Sequence, residues 1–513
     1  MKNLKYILLT VFSLMVASSC SNFEELNTNP DSAATVPSDM IATQLLKDTY
    51  RFWNPNPTDW STANLWCKHM ARLDTNGNPY QYYGSYWPYG GFGNFKKLTD
   101  ANAMAEFSKG LPTAPSYKGL ALFLKAYWGL GMTLDMGDIP YSEAGMAAQG
   151  ITQPKYDKQE DVFAAILKDF EAAETSFAAG ANFGGDIMYG GDVKKWRRLC
   201  NTMQLKVIQT IKKEKVSAAQ KARFAAIVAA NNLMTGSADD LKLTYLDNPN
   251  ATHPFFDGEG NRNYDAGSQL LVDNLKLLND RRLFYFLEPA GALITAGKLQ
   301  SDYDAYAGAP TEIASETLAL GRSLNSYSLI NIRYTLKRTG DPMLKTTYSE
   351  QCFIIAEAIE EGWVAGSSQT YYENGVKAQL AYYMNIPYST NAAQPVVAHG
   401  TPITQAYIDG YFTGAAAYAA TKTDRLKQIW MQRWLIDFFQ GSNNYYATFL
   451  RTGYPVFPLN PATSMNPEDK TKYPPRLKYD TGEQVTNPVN YKAAVDSQYG
   501  GFDGTQGIPW YIK

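Results

Sequence analysis

The sequence predicts a mainly α-helical fold of tetratricopeptide-like helix pairs, with long ordered loops and a few short β-hairpins. Three observations lead there. First, apolar residues recur at three- and four-residue steps. Across Asp192–Lys213 they fall at Val193, Trp196, Leu199, Cys200, Met203, Val207, Ile208 and Ile211, which lines them along one helical face. Second, helical segments come in pairs with short gaps, as in Leu344–Glu361 followed by Thr370–Met384. Such pairs are the unit of helical repeat arrays, although no clean period of about 34 residues accompanies them. Third, strand-like alternation is confined to Leu241–Leu246 and Tyr327–Leu336.

Residues 1–19 read as a lipoprotein signal peptide. Lys2 and Lys5 precede an apolar run from Tyr6 to Val16, too short to span a bilayer and suited to a signal h-region. Ala17-Ser18-Ser19-Cys20 then resembles a bacterial lipobox. Cleavage before Cys20 is expected to leave residues 20–513 as one domain with lipid on Cys20. The alternative is an ordinary secretory signal in which Cys20 is incidental. No later stretch reaches about 18 uninterrupted apolar residues, so the lipid is the expected membrane anchor. Glu24 and Glu25 resemble the acidic surface-export signal of Bacteroidetes lipoproteins.

Helices are expected near Ser38–Phe52, Trp60–Leu73, Phe95–Phe107 and Ser116–Leu134. Asp157 with Glu160 reads as a capping box for the helix carrying Val162, Phe163, Ile166, Leu167 and Phe170. Asp192 suits the N-cap of the next. Ala218–Asn231 and Ser268–Leu278 follow. Tyr348, Cys352, Ile355, Ala356 and Ile359 line a helix that Gly362 stops. Thr370–Met384 and Thr423–Phe439 complete the set. Between them, Leu233–Ala266, Ala290–Arg338 and Gly453–Lys513 are rich in Gly, Pro, Asn and Tyr. These read as ordered loops over a helical scaffold, the usual place for function.

Charge and cysteine usage exclude several functions. With 47 basic and 49 acidic side chains the formal charge is −2, and nothing supplies the basic footprint that nucleic acid needs. Cys67, Cys200 and Cys352 are far apart and lie in apolar helical segments. They read as buried thiols, with one envelope disulfide as the alternative. His69, His253 and His399 are scattered, so no metal or triad constellation appears. "GGFG" lacks the lysine and the strand–helix context of a phosphate loop. Asp257, Glu259, Asn261, Asn263 and Asp265 alternate like a calcium loop, but Arg262 stands where glycine is wanted and Ser268 where glutamate is. No cofactor and no metal are expected.

The stretch that asks for a function is "NPYQYYGSYWPYGGFGNF", Asn78 to Phe95. It holds Tyr80, Tyr82, Tyr83, Tyr86, Trp87, Tyr89, Phe92 and Phe95, broken by four glycines and two prolines. Glycines let such a loop turn sharply, so its rings can face outward as a platform. A sugar presents apolar C–H faces that stack on flat rings, and hydroxyls that pair with amide, carboxylate and guanidinium groups. The alternative is that the rings pack inward and fasten the loop.

Several segments together resemble the SusD/RagB family of Bacteroidetes outer-membrane nutrient-binding lipoproteins, in its SusD-like branch. They are the lipobox with "NFEELNTNPDSA", "WPYGGFGNFKKLTDANAM", "LDMGDIPYSEA", "WRRLCNTMQLKV", "LLVDNLKLLNDRRL", "YSEQCFIIAEAIEEGW", "QIWMQRWLIDFFQGSNNYYATFLRTGYPV" and "PPRLKYDTGEQVTNPVNYKAAV". They run in order from Cys20 nearly to the C-terminus. The resemblance implies an α-helical core with a loop-built glycan-binding face. It also implies a partner, a SusC-like TonB-dependent transporter on which the lipoprotein sits as a lid, and no catalysis. In the family, ligand-binding aromatics and a nearby arginine and asparagine come from this loop region. By position, Arg72, Tyr83, Tyr86, Trp87 and Asn94 are the candidates here, while Phe92 and Phe95 read as structural.

A second wall is expected from His253, Phe255, Phe256, Tyr264, Tyr303, Tyr306 and Tyr327, of which Tyr327 is the nominee. The expected function is binding an oligosaccharide at the cell exterior and delivering it to the transporter. Peptide or other nutrient binding on the same scaffold is the alternative. A surface glycosidase using Asp135 and Asp138 is another, since such enzymes need two carboxyls across a cleft. A purely structural assembly factor is the last.

Overall fold

The computed structural model describes residues 36–50, 59–84, 90–256, 259–386, 397–440 and 444–513. The signal peptide, Cys20, Tyr86, Trp87 and Tyr89 lie outside them. Helices dominate. The principal ones are α1 (Ser38–Tyr50), α2 (Asp59–Trp66), α3 (Leu98–Phe107), α4 (Ala114–Met136), α5 (Gln159–Ala179), α6 (Val193–Thr210) and α7 (Ala218–Ala230). They continue with α8 (Gln269–Leu277), α9 (Arg282–Phe286), α10 (Ser315–Ser323), α11 (Tyr348–Glu360), α12 (Ser368–Met384), α13 (Lys422–Ile436), α14 (Asn444–Thr452) and α15 (Pro488–Tyr499). Consecutive long helices pack side by side: α4 on α5, α5 on α6, and α11 on α12. This is the helix-pair arrangement read from the apolar spacing.

Caps explain where these helices start and stop. Asp192 accepts the Lys194 N–H, satisfying one of the orphan donors of the first turn of α6. Gly362 follows the end of α11 at φ +75, a backbone that glycine adopts without a Cβ penalty. The capping box expected at Asp157 is not formed. Asp157 instead accepts from the Ser142 N–H and hydroxyl at 2.6 and 2.8 Å. The first turn of α5 is capped from a distance, its Gln159 N–H bonding the Asp138 carboxylate at 2.8 Å.

The strands are few and short. β1 (Met70–Arg72) pairs antiparallel with β3 (Asp265–Gly267), and β2 (Leu241–Leu243) with β4 (Met343–Thr346). Both sheets join segments far apart in sequence, not the adjoining arms of hairpins. Two expectations change accordingly. The end of the predicted helix Trp60–Leu73 is strand β1, and Tyr327–Leu336 contributes only isolated bridges at Leu329 and Ile330 before a helical turn.

Two tryptophans centre the core. Trp196 of α6 is fully buried, stacked on Phe177 at 5.5 Å and edge-on to Phe123 and Tyr189 at 5.1 and 5.3 Å. Trp434 of α13 is also fully buried. It stacks on His69 at 4.5 Å, and its indole N–H donates to the Cys67 carbonyl at 2.9 Å. Burial pushes His69 down to about 3, so the ring is neutral and its Nε2 pairs with the Trp434 carbonyl at 2.7 Å. These bonds clamp the turn after α2 to α13 and so fix where β1 begins. Cys67, Cys200 and Cys352 are buried free thiols, as their apolar settings imply.

Candidate functional site

Arg72 ends β1 directly opposite Asp265 of β3. Its Nη1 lies 3.3 Å from both Asp265 oxygens, and its Nε donates to Asp74 at 2.9 Å. Burial alone would weaken the charge, but Asp265 and Asp74 raise the guanidinium pKa above its ordinary value. The backbone of Arg72 is fixed as well, its N–H donating to Gln81 Oε1 at 2.6 Å. Gln81, fully buried, in turn donates to the Thr311 carbonyl at 3.1 Å. The arginine is thus rigid before any ligand arrives, which lowers the ordering cost of binding.

The ring beside it is Tyr264, the residue before β3. The Arg72 guanidinium stands 5.0 Å from its centroid and that of Arg322, near the end of α10, stands 4.1 Å away. Both distances are within cation–π range. Tyr327 completes the patch. It packs on the small cluster of Ala71, Leu73, Ala266, Ala309 and Leu318. Its ring also covers Gly321, where a Cβ would come within 2.3 Å of the Tyr327 Cε2. Any larger residue at 321 would push the ring away. Arg72, Tyr264, Arg322 and Tyr327 are each half-buried. Together they set the half-buried Tyr327 ring beside two arginines, a flat apolar face and N–H donors that complement a sugar ring's C–H face and hydroxyls.

The aromatic loop meets this patch by its base. Tyr80, Tyr82 and Tyr83 are buried, so at these three positions the expectation of outward-facing rings gives way to the packing alternative. The Tyr82 hydroxyl donates to the Ile313 carbonyl at 2.6 Å and that of Tyr83 to the Trp66 carbonyl at 3.2 Å. Tyr83, only 2% exposed, sits edge-on to Trp66 and Tyr473 at 5.6 Å each, with the Lys68 ammonium 4.4 Å over its ring. It positions the loop and has no free face to stack. The returning arm is held too. The Gly90 N–H donates to the Lys478 carbonyl at 2.7 Å, and Phe92 packs on Phe95, Tyr156 and Tyr479.

Asn94 is exposed on the turn Gly93–Lys97. No described contact joins it to Arg72. Among the second-wall residues, Phe255 and Tyr306 are core side chains, and His253 is buried against Tyr245 and Phe255, with burial pushing it down to about 4. Tyr264 and Tyr327 are the two joined to the arginine patch. Arg322 was not foreseen; its only sequence signal is an arginine near the end of the half-apolar helix "SETLALGRS". Asp265, the last oxygen residue of the calcium-like run, faces Arg72, a cation already in place. Among the described residues no group of three or more His, Cys, Asp or Glu is arranged to hold a metal. No described helix is long and apolar enough to cross a membrane.

Residues 29–480 match the SusD-like family described as "Starch-binding associating with outer membrane". Among solved structures, the chain is similar to a SusD homologue from Bacteroides fragilis NCTC 9343. The two are 33% identical with a TM-score of 0.87, covering 93% of this chain and 100% of that one. A second SusD homologue from the same strain is 29% identical with a TM-score of 0.80, at 93% and 100% coverage. A chitin-binding protein is 26% identical with a TM-score of 0.74, again covering 93% and 100%. No curated protein matches the sequence.

Proposed function

The chain belongs to the SusD-like family of starch-binding proteins associated with the outer membrane, and on that premise we propose that it is a non-catalytic, lipid-anchored surface lipoprotein. It binds an oligosaccharide outside the cell and delivers it to a SusC-like TonB-dependent transporter. Arg72, Tyr86, Trp87, Asn94 and Tyr327 form the binding face, extended by Tyr264 and Arg322, while Tyr83 holds the loop. Cys20 carries the lipid. The observation that carries this reading is the pair of guanidinium groups over Tyr264 beside the half-buried ring of Tyr327. It supplies guanidinium donors and a flat apolar face in one place. Each stacked ring contributes about 1 kcal/mol, and several give the micromolar to millimolar affinity suited to capture and release. The chitin-binding neighbour supports the ligand class.

The glycosidase reading fares less well. The Asp138 carboxylate is already engaged, accepting the Gln159 N–H that caps α5. A peptide ligand is the second reading, favoured by Arg322, which can receive a ligand carboxylate.

The test is a glycan and peptide array on the soluble chain lacking residues 1–20, followed by calorimetry. Trp87→Ala should weaken oligosaccharide binding several-fold; unchanged affinity would make Trp87 a packing residue. Sustained product formation that Asp135→Asn abolishes would overturn the non-catalytic assignment.

A further inference from the structure

A second pocket lies in the helical scaffold, built from elements that take no part in the Arg72 patch. The chain leaving α6, the end of α11 with the residues after it, α13 and the end of α14 line a cavity of ≈ 170 Å³ that is partly open to solvent. Two indoles line it, Trp430 of α13 and Trp363 just past α11, both half-buried. Trp363 is held edge-on by Phe224 at 5.7 Å.

The pocket's charges cancel. Glu357 is bonded by Arg451 at 2.6 Å and by Arg433 at 3.3 Å. Burial opposes its ionisation, but the two arginines hold its carboxyl below the usual range. Glu361 stands between Lys213 at 3.6 Å and Lys422 at 3.3 Å. A free anion or cation therefore finds no uncompensated opposite charge on these groups. Arg451 keeps a donor to spare. The Arg451 side chain is only 8% exposed, and its Nε–H is buried without a hydrogen-bond partner, an unfavourable state that an acceptor would relieve.

Two flat apolar faces, balanced charge and an unmet N–H donor describe the complement of a neutral, polyhydroxylated ring. We propose that this pocket is a second carbohydrate-binding site, taking a single sugar unit or chain end, with Trp363 and Trp430 as stacking walls and Arg451 as a hydrogen-bond donor. Stacking gives sequence-tolerant affinity, while the paired carboxylates accept from sugar hydroxyls on their remaining lone pairs. A chain with two separated sites holds a polysaccharide more tightly than either site alone, by raising the local concentration of the second contact.

The inference shares its ligand class with the loop site but not its residues, so the two are tested apart. Maltoheptaose and chitohexaose are titrated by calorimetry into the soluble mature chain, Trp363→Ala, Trp363→Leu and Trp87→Ala. The leucine variant keeps an apolar contact with Phe224 while removing the flat face, and serves if the alanine variant unfolds. Two binding events are expected in the unsubstituted chain. The Trp363 variants should lose one of them, at least five-fold in affinity, and keep the one that depends on Trp87. A single event, lost in Trp87→Ala and unchanged in both Trp363 variants, overturns the second site and leaves the loop reading standing. An event that depends on Trp363 while Trp87→Ala changes nothing sustains the pocket and counts against the loop. No heat with either sugar removes both.

Discussion

Arg72 and Asp265 are register partners across β1 and β3, and the same pair is a salt bridge, with Nη1 3.3 Å from each carboxylate oxygen. The bridge ties a binding-face side chain to the sheet that carries it. Its two acidic partners are unequal. The Asp265 side chain is fully buried, while that of Asp74 is 25% exposed.

That inequality sets the first expectation. Removing a buried partner leaves an uncompensated charge and costs about 3–5 kcal/mol, whereas an exposed partner is worth about 1 kcal/mol or less. Asp265→Ala should therefore lower the urea midpoint far more than Asp74→Ala does. Equal shifts in the two variants would show that water reaches Asp265 and that the bridge does not anchor the arginine.

Tyr83 and Trp87 are neighbours on one loop and are expected to behave in opposite ways. Tyr83 is packed among Trp66, Tyr446 and Tyr473. Truncating such a core aromatic costs about 3–5 kcal/mol through lost burial and the cavity left behind. Tyr83→Ala should lower the melting temperature by several degrees, while Trp87→Ala should leave it nearly unchanged. A Tyr83→Ala chain that melts normally yet fails to bind sugar would return Tyr83 to the binding face.

These contrasts mark what a sequence can and cannot disclose. The long helices were legible because their apolar positions repeat on one face, as Trp196, Leu199, Cys200 and Met203 do in α6. Short strands were not: three residues of β1 contain no period, and their partner lies in a segment almost two hundred residues away. The cap of α5 was misread because its acceptor, the Asp138 carboxylate, is brought in by tertiary contact from 21 residues earlier. At the site, an arginine near the aromatic loop was readable by position. The contact of Arg322 with Tyr264 was not, since it exists only once α10 has docked. Composition likewise shows that the loop is rich in rings without telling a buried Tyr83 from an exposed one.

The last expectation concerns pH. Asp135, near the end of α4, has its carboxyl pushed up to about 7 by burial, against about 4 in an unfolded chain. Below about pH 4 the group is protonated in both states and costs nothing. Between about pH 4 and 7 the unfolded chain releases this proton while the folded one keeps it, so the unfolded state binds fewer protons and stability falls as pH rises. Above pH 7 the folded state carries a half-buried charge and the full penalty is in force. Asp135→Asn removes this titration while keeping the shape. It should raise stability at pH 8, on the order of 1 kcal/mol, and have little effect near pH 4. Urea unfolding of both chains at the two pH values measures the difference. A gain that is the same at pH 4 and pH 8 would mean that packing, and not ionisation, sets the effect of the substitution.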